Sequence, residues 1–237
     1  MISDEQLQKE AMNFIRTHKH ELIEKFASEK VYERDERPVS IFMAGSPGAG
    51  KTEFSKYLLA NTIAEMNIKK VTRIDADEIR NMLPGYKGGN AYLFQKAIDR
   101  GVHILHNYAL DTSKNFILDS TFSDKTRAYE NVERSLKRNR TVQIFYVYLD
   151  PLIAWDITQK REAIEGRNIP KEVFVNKLFA AKDTVDAIKK AFGDKVQVYF
   201  IKKRSIELND FDYQGEIDTI DKHLQITYSK DELMKKL

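Results

Sequence analysis

An eight-residue stretch, Gly45-Ser46-Pro47-Gly48-Ala49-Gly50-Lys51-Thr52, leaves this chain few folds to choose from. It follows an apolar run, Val39–Ala44, and opens a helix-like segment, Lys51–Met66. Strand, glycine-rich loop and helix in that order form a phosphate-binding unit. Glycines let the backbone turn tightly and bring its N–H groups to phosphate oxygens. The helix N-terminus behind them adds partial positive charge. In such a loop Lys51 reaches the β- and γ-phosphates of a nucleotide, and the Thr52 hydroxyl binds Mg²⁺.

A loop of this kind needs a parallel sheet around it, and the chain supplies one. Short apolar runs end at Asp75, at Asp119 and at Asp150-Pro151, and Val196–Ile201 is a fifth. Val39–Ala44 is apolar throughout, as a strand covered on both faces must be. Between the runs lie segments with helical spacing: Ala91–Ala109, Lys125–Arg140, Leu152–Glu165 and Lys171–Ala191. The expected class is α/β, a parallel sheet of at least five strands with helices on both faces. Residues 1–37 read as a helical extension, 38–204 as the core and 205–237 as a tail packed on it. The tail's Leu224–Tyr228 reads as a strand, and Ser229 with Glu232 as a capping box. The N-terminal helices have two readings, packing on the core or docking a partner.

Ligands in such sheets sit beyond the carboxyl ends of the strands. The loop, Asp75 and Asp77, Asp119-Ser120-Thr121 and Asp150 are therefore expected on one edge. Phosphoryl transfer to a hydroxyl asks for a base, a metal and cations around the moving group. Asp77, two residues past the second strand, is the candidate base. Asp75 either orients Mg²⁺ and substrate or caps the next helix. Asp119 fits the acidic partner of Mg²⁺. Thr121 is a substrate contact or a cap. Arg161 and Arg167 flank the break at Gly166, either as a lid over the γ-phosphate or as a solvated basic helix end. Arg80, Tyr86, Lys87 and Asn90 follow the Asp77 segment and are placed around the acceptor. His103 and His106, three apart on one helix, read as a structural pair rather than a metal site. The basic Lys125–Arg140 segment is interrupted by Glu130 and Glu133, and reads as a solvated face rather than a nucleic-acid surface.

Composition removes other chemistries. With no cysteine among 237 residues, disulfides, thiolate zinc sites and cysteine nucleophiles are excluded. A net charge of +3 at 32% charged residues gives no global pull toward nucleic acid or membrane. The polar, acidic Met1–Glu10 is unlike a signal peptide, and no apolar run reaches membrane length, so a cytoplasmic protein is expected.

Four segments together resemble the zeta toxins, P-loop kinases of toxin–antitoxin systems. They are Phe42–Thr52, Ile74-Asp75-Ala76-Asp77-Glu78-Ile79-Arg80 with Leu83–Tyr86, Ile117-Leu118-Asp119-Ser120-Thr121, and Arg161 through Arg167-Asn168-Ile169-Pro170. The resemblance spans about Pro38 to Ala191. It implies a P-loop kinase-type sheet and ATP- or GTP-dependent phosphorylation of a UDP-activated amino sugar, typically UDP-N-acetylglucosamine. It also implies a small helical antitoxin that blocks the nucleotide site. By the same resemblance Lys51 and Thr52 handle nucleotide and Mg²⁺, Asp77 is the base, and Arg161 and Arg167 contact the transferred phosphate. Two departures fall where acceptor contacts lie. The family's sugar-contacting glutamate has no counterpart in Asp99-Arg100-Gly101-Val102-His103, and Asp119-Ser120-Thr121 replaces an acidic-Gly-Thr pattern. Two other readings use the same loop: a kinase of a different acceptor, such as a nucleic-acid 5′ end or a metabolite, and a nucleotide-gated binding module.

Overall fold

Alternation of strand and helix along the chain resolves into one sheet. The computed structural model describes residues 3–62, 70–166, 168–205, 207, 210–224 and 228–237. Strands β1 (Val39–Ala44), β2 (Thr72–Asp75), β3 (Phe116–Asp119), β4 (Thr141–Tyr148), β5 (Val196–Lys203) and β6 (Phe211–Gln214) lie in the order β2-β3-β1-β4-β5-β6. The first five are parallel, and β6 pairs antiparallel with β5. The sixth strand extends the expected five, at the edge beside β5. Its side chains are mostly exposed, so it lacks the apolar run that marks a strand covered on both faces.

Nine helices join the strands among the described residues: α1 (Asp4–Thr17), α2 (Lys19–Ala27), α3 (Lys51–Tyr57), α4 (Ala76–Arg80), α5 (Ala91–Asp111), α6 (Lys125–Leu136), α7 (Pro151–Glu165), α8 (Lys171–Phe192) and α9 (Lys230–Lys236). Side chains alternate across β1, as a pleated strand requires. Phe42 and Ala44 join one apolar layer, with α5, α6 and the N-terminal helices, while Ile41 and Met43 join the other, with α3 and α7. Each layer covers one face, which is why β1 is buried along its whole length.

The N-terminal helices belong to the first layer. Ala11, Ile15, Leu22 and Phe26 are buried there, and the Thr72 hydroxyl donates to the Phe26 carbonyl. Their apolar stripe is therefore spent on α5 and β2, which leaves the partner-docking reading only their polar outer face. The expected helix after the loop ends its α-helical part at Tyr57 and continues as a π-helical turn, Leu58–Thr62. Its remaining residues to Met66 lie outside the described residues, as does most of the expected strand Leu224–Tyr228. The capping box forms, with the Ser229 hydroxyl and the Glu232 carboxylate each accepting from the other's backbone N–H. No helix among the described residues is long and apolar enough to cross a membrane.

Strands β2 and β3 lie on one side of β1, and β4 and β5 on the other. The chain thus reverses its winding at β1, the position where open α/β sheets form a crevice at their carboxyl edge.

Candidate active site

At that crevice Gly45 leaves β1 with its N–H donating to the Thr121 carbonyl at 3.2 Å, which ties the phosphate loop to the end of β3. Two loop glycines are required by their surroundings. Gly45 and Gly48 have φ of +137° and +71°, and a Cβ would meet the Val147 carbonyl oxygen at 2.2 Å and that of Ala154 at 2.1 Å. The loop, Gly45 through Gly50, runs into α3 at Lys51. Ser46 and Ala49 are buried within it, and Pro47 and Gly48 line the cleft. Lys51 is nearly buried, and its Nζ donates to the Ser46 carbonyl at 2.6 Å. Burial lowers its pKa to about 8, against the opposing pull of Asp119.

The cleft beyond the loop has a volume of about 880 Å³. Lys51, Thr52, Asp75, Asp77, Arg80, Asp119, Thr121 and Arg161 all line it. Beyond the loop, the expected residues converge on one space, with five exceptions. Lys87 and Asn90 do not line it: Asn90 Oδ1 accepts from the Lys87 N–H at 2.9 Å, and its Nδ2 donates to the Gly85 carbonyl at 2.9 Å. Tyr86 is not among the lining residues: its ring packs edge-on against Phe94, and the Arg80 guanidinium lies 5.9 Å from its centroid. Its ring lies under Arg80 and away from the cleft. Asp150 accepts from the Leu152 N–H at 2.9 Å as the cap of α7 and is likewise absent from the lining. Arg167 lies outside the described residues.

The acidic residues are arranged by β2 and β3. Asp75 and Asp119 are paired in register on these adjacent strands. Between them lies Arg73, a residue with no place in the expected site. Its Nη1 donates to Asp75 Oδ2 at 2.6 Å and to Asp119 Oδ2 at 3.1 Å, and its Nη2 to Glu78. Burial opposes the charge on Arg73, but the neighbouring carboxylates outweigh it and raise its pKa. Asp75 also caps α4, with Oδ1 accepting from the Asp77 N–H at 2.8 Å. Capping, one of its two readings, is thus what it does here. Asp77 is half-exposed in the cleft and accepts from buried Arg80. The Asp119 carboxyl is raised by burial, then by Asp75, while Lys51, a hydrogen bond from Thr52 and Arg73 oppose the rise. Ser55 also donates to Asp119 Oδ2, at 3.3 Å. Thr121 exchanges a hydrogen bond with Ser123 at 2.9 Å.

Cations crowd the phosphate end. Arg161 comes from α7 and pairs with Glu53, the residue after Thr52. Lys177 from α8 lines the cleft, and its charge lowers the Lys51 pKa. Lys203, at the end of β5, is buried with its Nζ against Gly50. Neither lysine has a sequence signal beyond its type; Arg73 does, since it shares a strand face with Asp75 two residues on. The far wall comes from α5 and α6 and carries Gln95, Arg100, His103, Arg127, Asn131 and Arg134. His103 bonds Asn107 at 2.9 Å, whereas His106 is buried with its ring edge-on to Phe42 and Phe116. Burial and nearby arginines lower the His106 pKa to about 3. Among the described residues no cluster of three His, Asp or Glu side chains could hold a metal by itself.

The basic α6 segment is divided. Arg127 and Arg134 face the cleft, Tyr129 packs on Phe192, and Arg140 is buried against Ser40, Val39 and Lys114. It presents no continuous cationic stripe.

The sequence profile of the zeta toxin family matches residues 23–216. The chain belongs to the zeta toxin family. Solved structures agree on the fold. One, from the PezAT chromosomal toxin–antitoxin system of Streptococcus pneumoniae, superposes with a TM-score of 0.61 at 14% identity, over 97% of this chain and 88% of that one. Two others are AvrRxo1-ORF1:AvrRxo1-ORF2 structures. The one with sulphate ions has a TM-score of 0.60 at 12% identity, over 95% of this chain and 75% of that one. The one with ATP has a TM-score of 0.58 at 13% identity, over 95% and 74%. No curated protein matches the sequence closely enough to count as a relative. This zeta toxin family member therefore has the fold of P-loop kinase-like toxins.

Proposed function

We propose that this zeta toxin family member is a kinase that transfers the γ-phosphoryl group of ATP or GTP to a hydroxyl of a UDP-amino sugar such as UDP-N-acetylglucosamine. The observation that carries this reading is the shared cleft. Asp77 stands half-exposed in the same space that Lys51 and Thr52 line, so an alcohol can enter between a carboxylate and a bound triphosphate. Asp77 takes the hydroxyl proton as the oxygen attacks the γ-phosphorus. Lys51 and Arg161, with Arg167, offset the charge spread over the transferring oxygens. Arg80 and Thr121 border the acceptor.

The Thr52 hydroxyl and the Asp119 carboxylate line the same cleft, and Thr52 favours the ionised form of Asp119; such hard oxygen donors suit Mg²⁺. When bound, Mg²⁺ held by Thr52 and Asp119 would offset the charge of the phosphates. The volume of about 880 Å³ suits a large acceptor, and on the far wall, where Arg127 is paired with Asp99 and Asp124, Arg100 and Arg134 are the cations placed for an anionic group. A helical antitoxin covering the nucleotide side of the cleft, and action in the cytoplasm, complete the proposal; the neighbouring PezAT and AvrRxo1-ORF1:AvrRxo1-ORF2 structures support a partner.

The test is transfer of γ-labelled phosphate from ATP and from GTP, with Mg²⁺, to a panel of UDP-sugars. Wild-type protein should label a UDP-amino sugar. Asp77→Asn should bind nucleotide and label nothing. Hydrolysis without transfer across the panel would overturn the acceptor class.

A further inference from the structure

Most of the charged groups that line the cleft have a place in the proposed transfer; Arg73, which lies behind Asp75 and Asp119 and does not itself line the cleft, has none. It rises from β2 with its side chain only 9% exposed and meets three carboxylates. The strong, geometrically specific pairing of a guanidinium with a carboxylate is a bidentate one, two parallel N–H···O bonds to a single partner. Arg73 instead divides one nitrogen, Nη1, between Asp75 Oδ2 at 2.6 Å and Asp119 Oδ2 at 3.1 Å.

Two consequences follow from which oxygens it takes. Asp75 is left with Oδ1, which holds the Asp77 N–H at 2.8 Å and so sets the first turn of α4. Asp119, held through Oδ2 by Arg73 and Ser55, keeps Oδ1 clear of both. The two carboxylates sit side by side in register on parallel strands, where unneutralised like charges would push each other apart. One guanidinium therefore sets both the carboxylate beside Thr52 and the turn that carries Asp77.

We propose that Arg73 is a positioning residue that couples the metal-facing Asp119 to the Asp77 turn. The inference rests on the functional reading above for Asp77 and Asp119. Arg73 does not line the cleft in which nucleotide and acceptor are proposed to meet. It acts by holding Asp75 and Asp119 at fixed orientation. Outer-shell groups of this kind typically change metal affinity or activity by about 10–100-fold when removed.

The experiment compares wild type, Arg73→Gln, Arg73→Lys and Asp77→Asn in two assays. The first follows binding of a fluorescent ATP and a fluorescent GTP as Mg²⁺ is titrated, and needs no acceptor. The second separates kcat from the nucleotide KM for phosphoryl transfer, scaled to nucleotide-binding-competent protein. Arg73→Gln should bind nucleotide in EDTA within about twofold of wild type and need about tenfold more Mg²⁺ for half its effect. Its kcat should fall about 10–100-fold at little-changed KM. Arg73→Lys should recover much of the Mg²⁺ response, because charge between the carboxylates is kept, and less of kcat, because the planar fork is lost. A fall in thermal stability with both readouts unmoved overturns the proposal, as does failure of wild type to bind either nucleotide. If wild type transfers to no acceptor yet Arg73→Gln shifts the Mg²⁺ titration, the functional reading is lost and the role of Arg73 at Asp119 stands. If Asp77→Asn transfers normally, the role of Asp77 is lost and with it the coupling.

Discussion

The two halves of the cleft are built in opposite ways. The nucleotide half comes from one contiguous segment: β1, the loop Gly45–Gly50 and α3. Its groups are main-chain amides, one lysine and one hydroxyl, and its conformation is enforced by glycines that no other residue can replace at Gly45 and Gly48. The acceptor half is assembled from α4, α5 and α6, residues far apart in sequence, and its groups are long, paired side chains: Asp77 with Arg80, Arg127 near Asp99, Arg134 with Asn107. Backbone recognition suits a phosphate tail that every nucleotide shares. Side-chain recognition can differ from chain to chain at no cost to the fold. On the function proposed above, the contrast says where specificity resides: the first half would commit the protein to a triphosphate, and the second would select what receives the phosphate.

The largest expected effect tests whether the halves divide binding from chemistry. Lys51→Met, in the nucleotide half, should lower transfer by about 10²–10³-fold, the scale of losing one charge-stabilising group. Asp77→Asn should lower kcat by about 10²–10⁴-fold, the scale of general-base catalysis, with nucleotide affinity intact. Calorimetric titration with a non-hydrolysable nucleotide, beside initial rates, separates the two. If Asp77→Asn weakens nucleotide binding as much as Lys51→Met does, the division fails.

A second test concerns how the wall behind the acceptor half is held. His106 is buried between Phe42 and Phe116, and burial together with Arg134 and Arg140 keeps its folded-state pKa at about 3. In the unfolded chain an imidazole titrates near 6.5. Below that pH the unfolded state takes up a proton that the folded state refuses, so stability is lost as pH falls from about 6.5 toward 3. Above about 6.5 the group contributes no slope. The loss is about 1.4 kcal/mol per pH unit within the window. His106→Leu, close in volume and without the ring nitrogens, should remove about 2 kcal/mol of the difference in unfolding free energy between pH 7 and pH 5. Urea denaturation at the two pH values measures it, and equal pH responses for the two proteins would show that His106 is not held neutral.

The same contrast accounts for what could be read from the sequence. The loop, the parallel sheet and the apolar strand ends were legible because each is local: a glycine pattern, a run of apolar residues, a helical period. Asp75, Asp77, Asp119 and Thr121 were legible because they follow strands, and strand ends in a parallel sheet share an edge. Arg73 was legible only in part: its spacing from Asp75 puts the two on one strand face, but its tie to Asp119 exists only once β3 pairs with β2. Lys177 and Lys203 were hidden in the same way, being ordinary lysines whose position beside the loop is set by α8 and β5. Tyr86 was misplaced because the turn at Leu83–Gly85 sends its ring inward onto Phe94. Strand β6 was missed because its exposed side chains lack an apolar run.

The smallest effect sharpens the comparison most. Arg134 lines the far wall of the cleft, and its guanidinium is steadied by Asn107 Oδ1 from α5. It stands on α6, remote in sequence from the loop, and has no part in enforcing the loop's conformation. If the far wall selects the acceptor, Arg134→Ala should raise the acceptor KM by about tenfold, the equivalent of one lost hydrogen bond to a charged group. The nucleotide KM and the rate of acceptor-free hydrolysis should stay unchanged. Asn107→Ala should give a weaker version of the same change, because it frees the guanidinium without deleting it. An acceptor lacking an anionic group should show no difference between wild type and Arg134→Ala, since no ion pair would be lost. Should the nucleotide KM rise in step with the acceptor KM, the two halves are one site, and the separation of a shared phosphate grip from a variable acceptor wall does not hold for this chain.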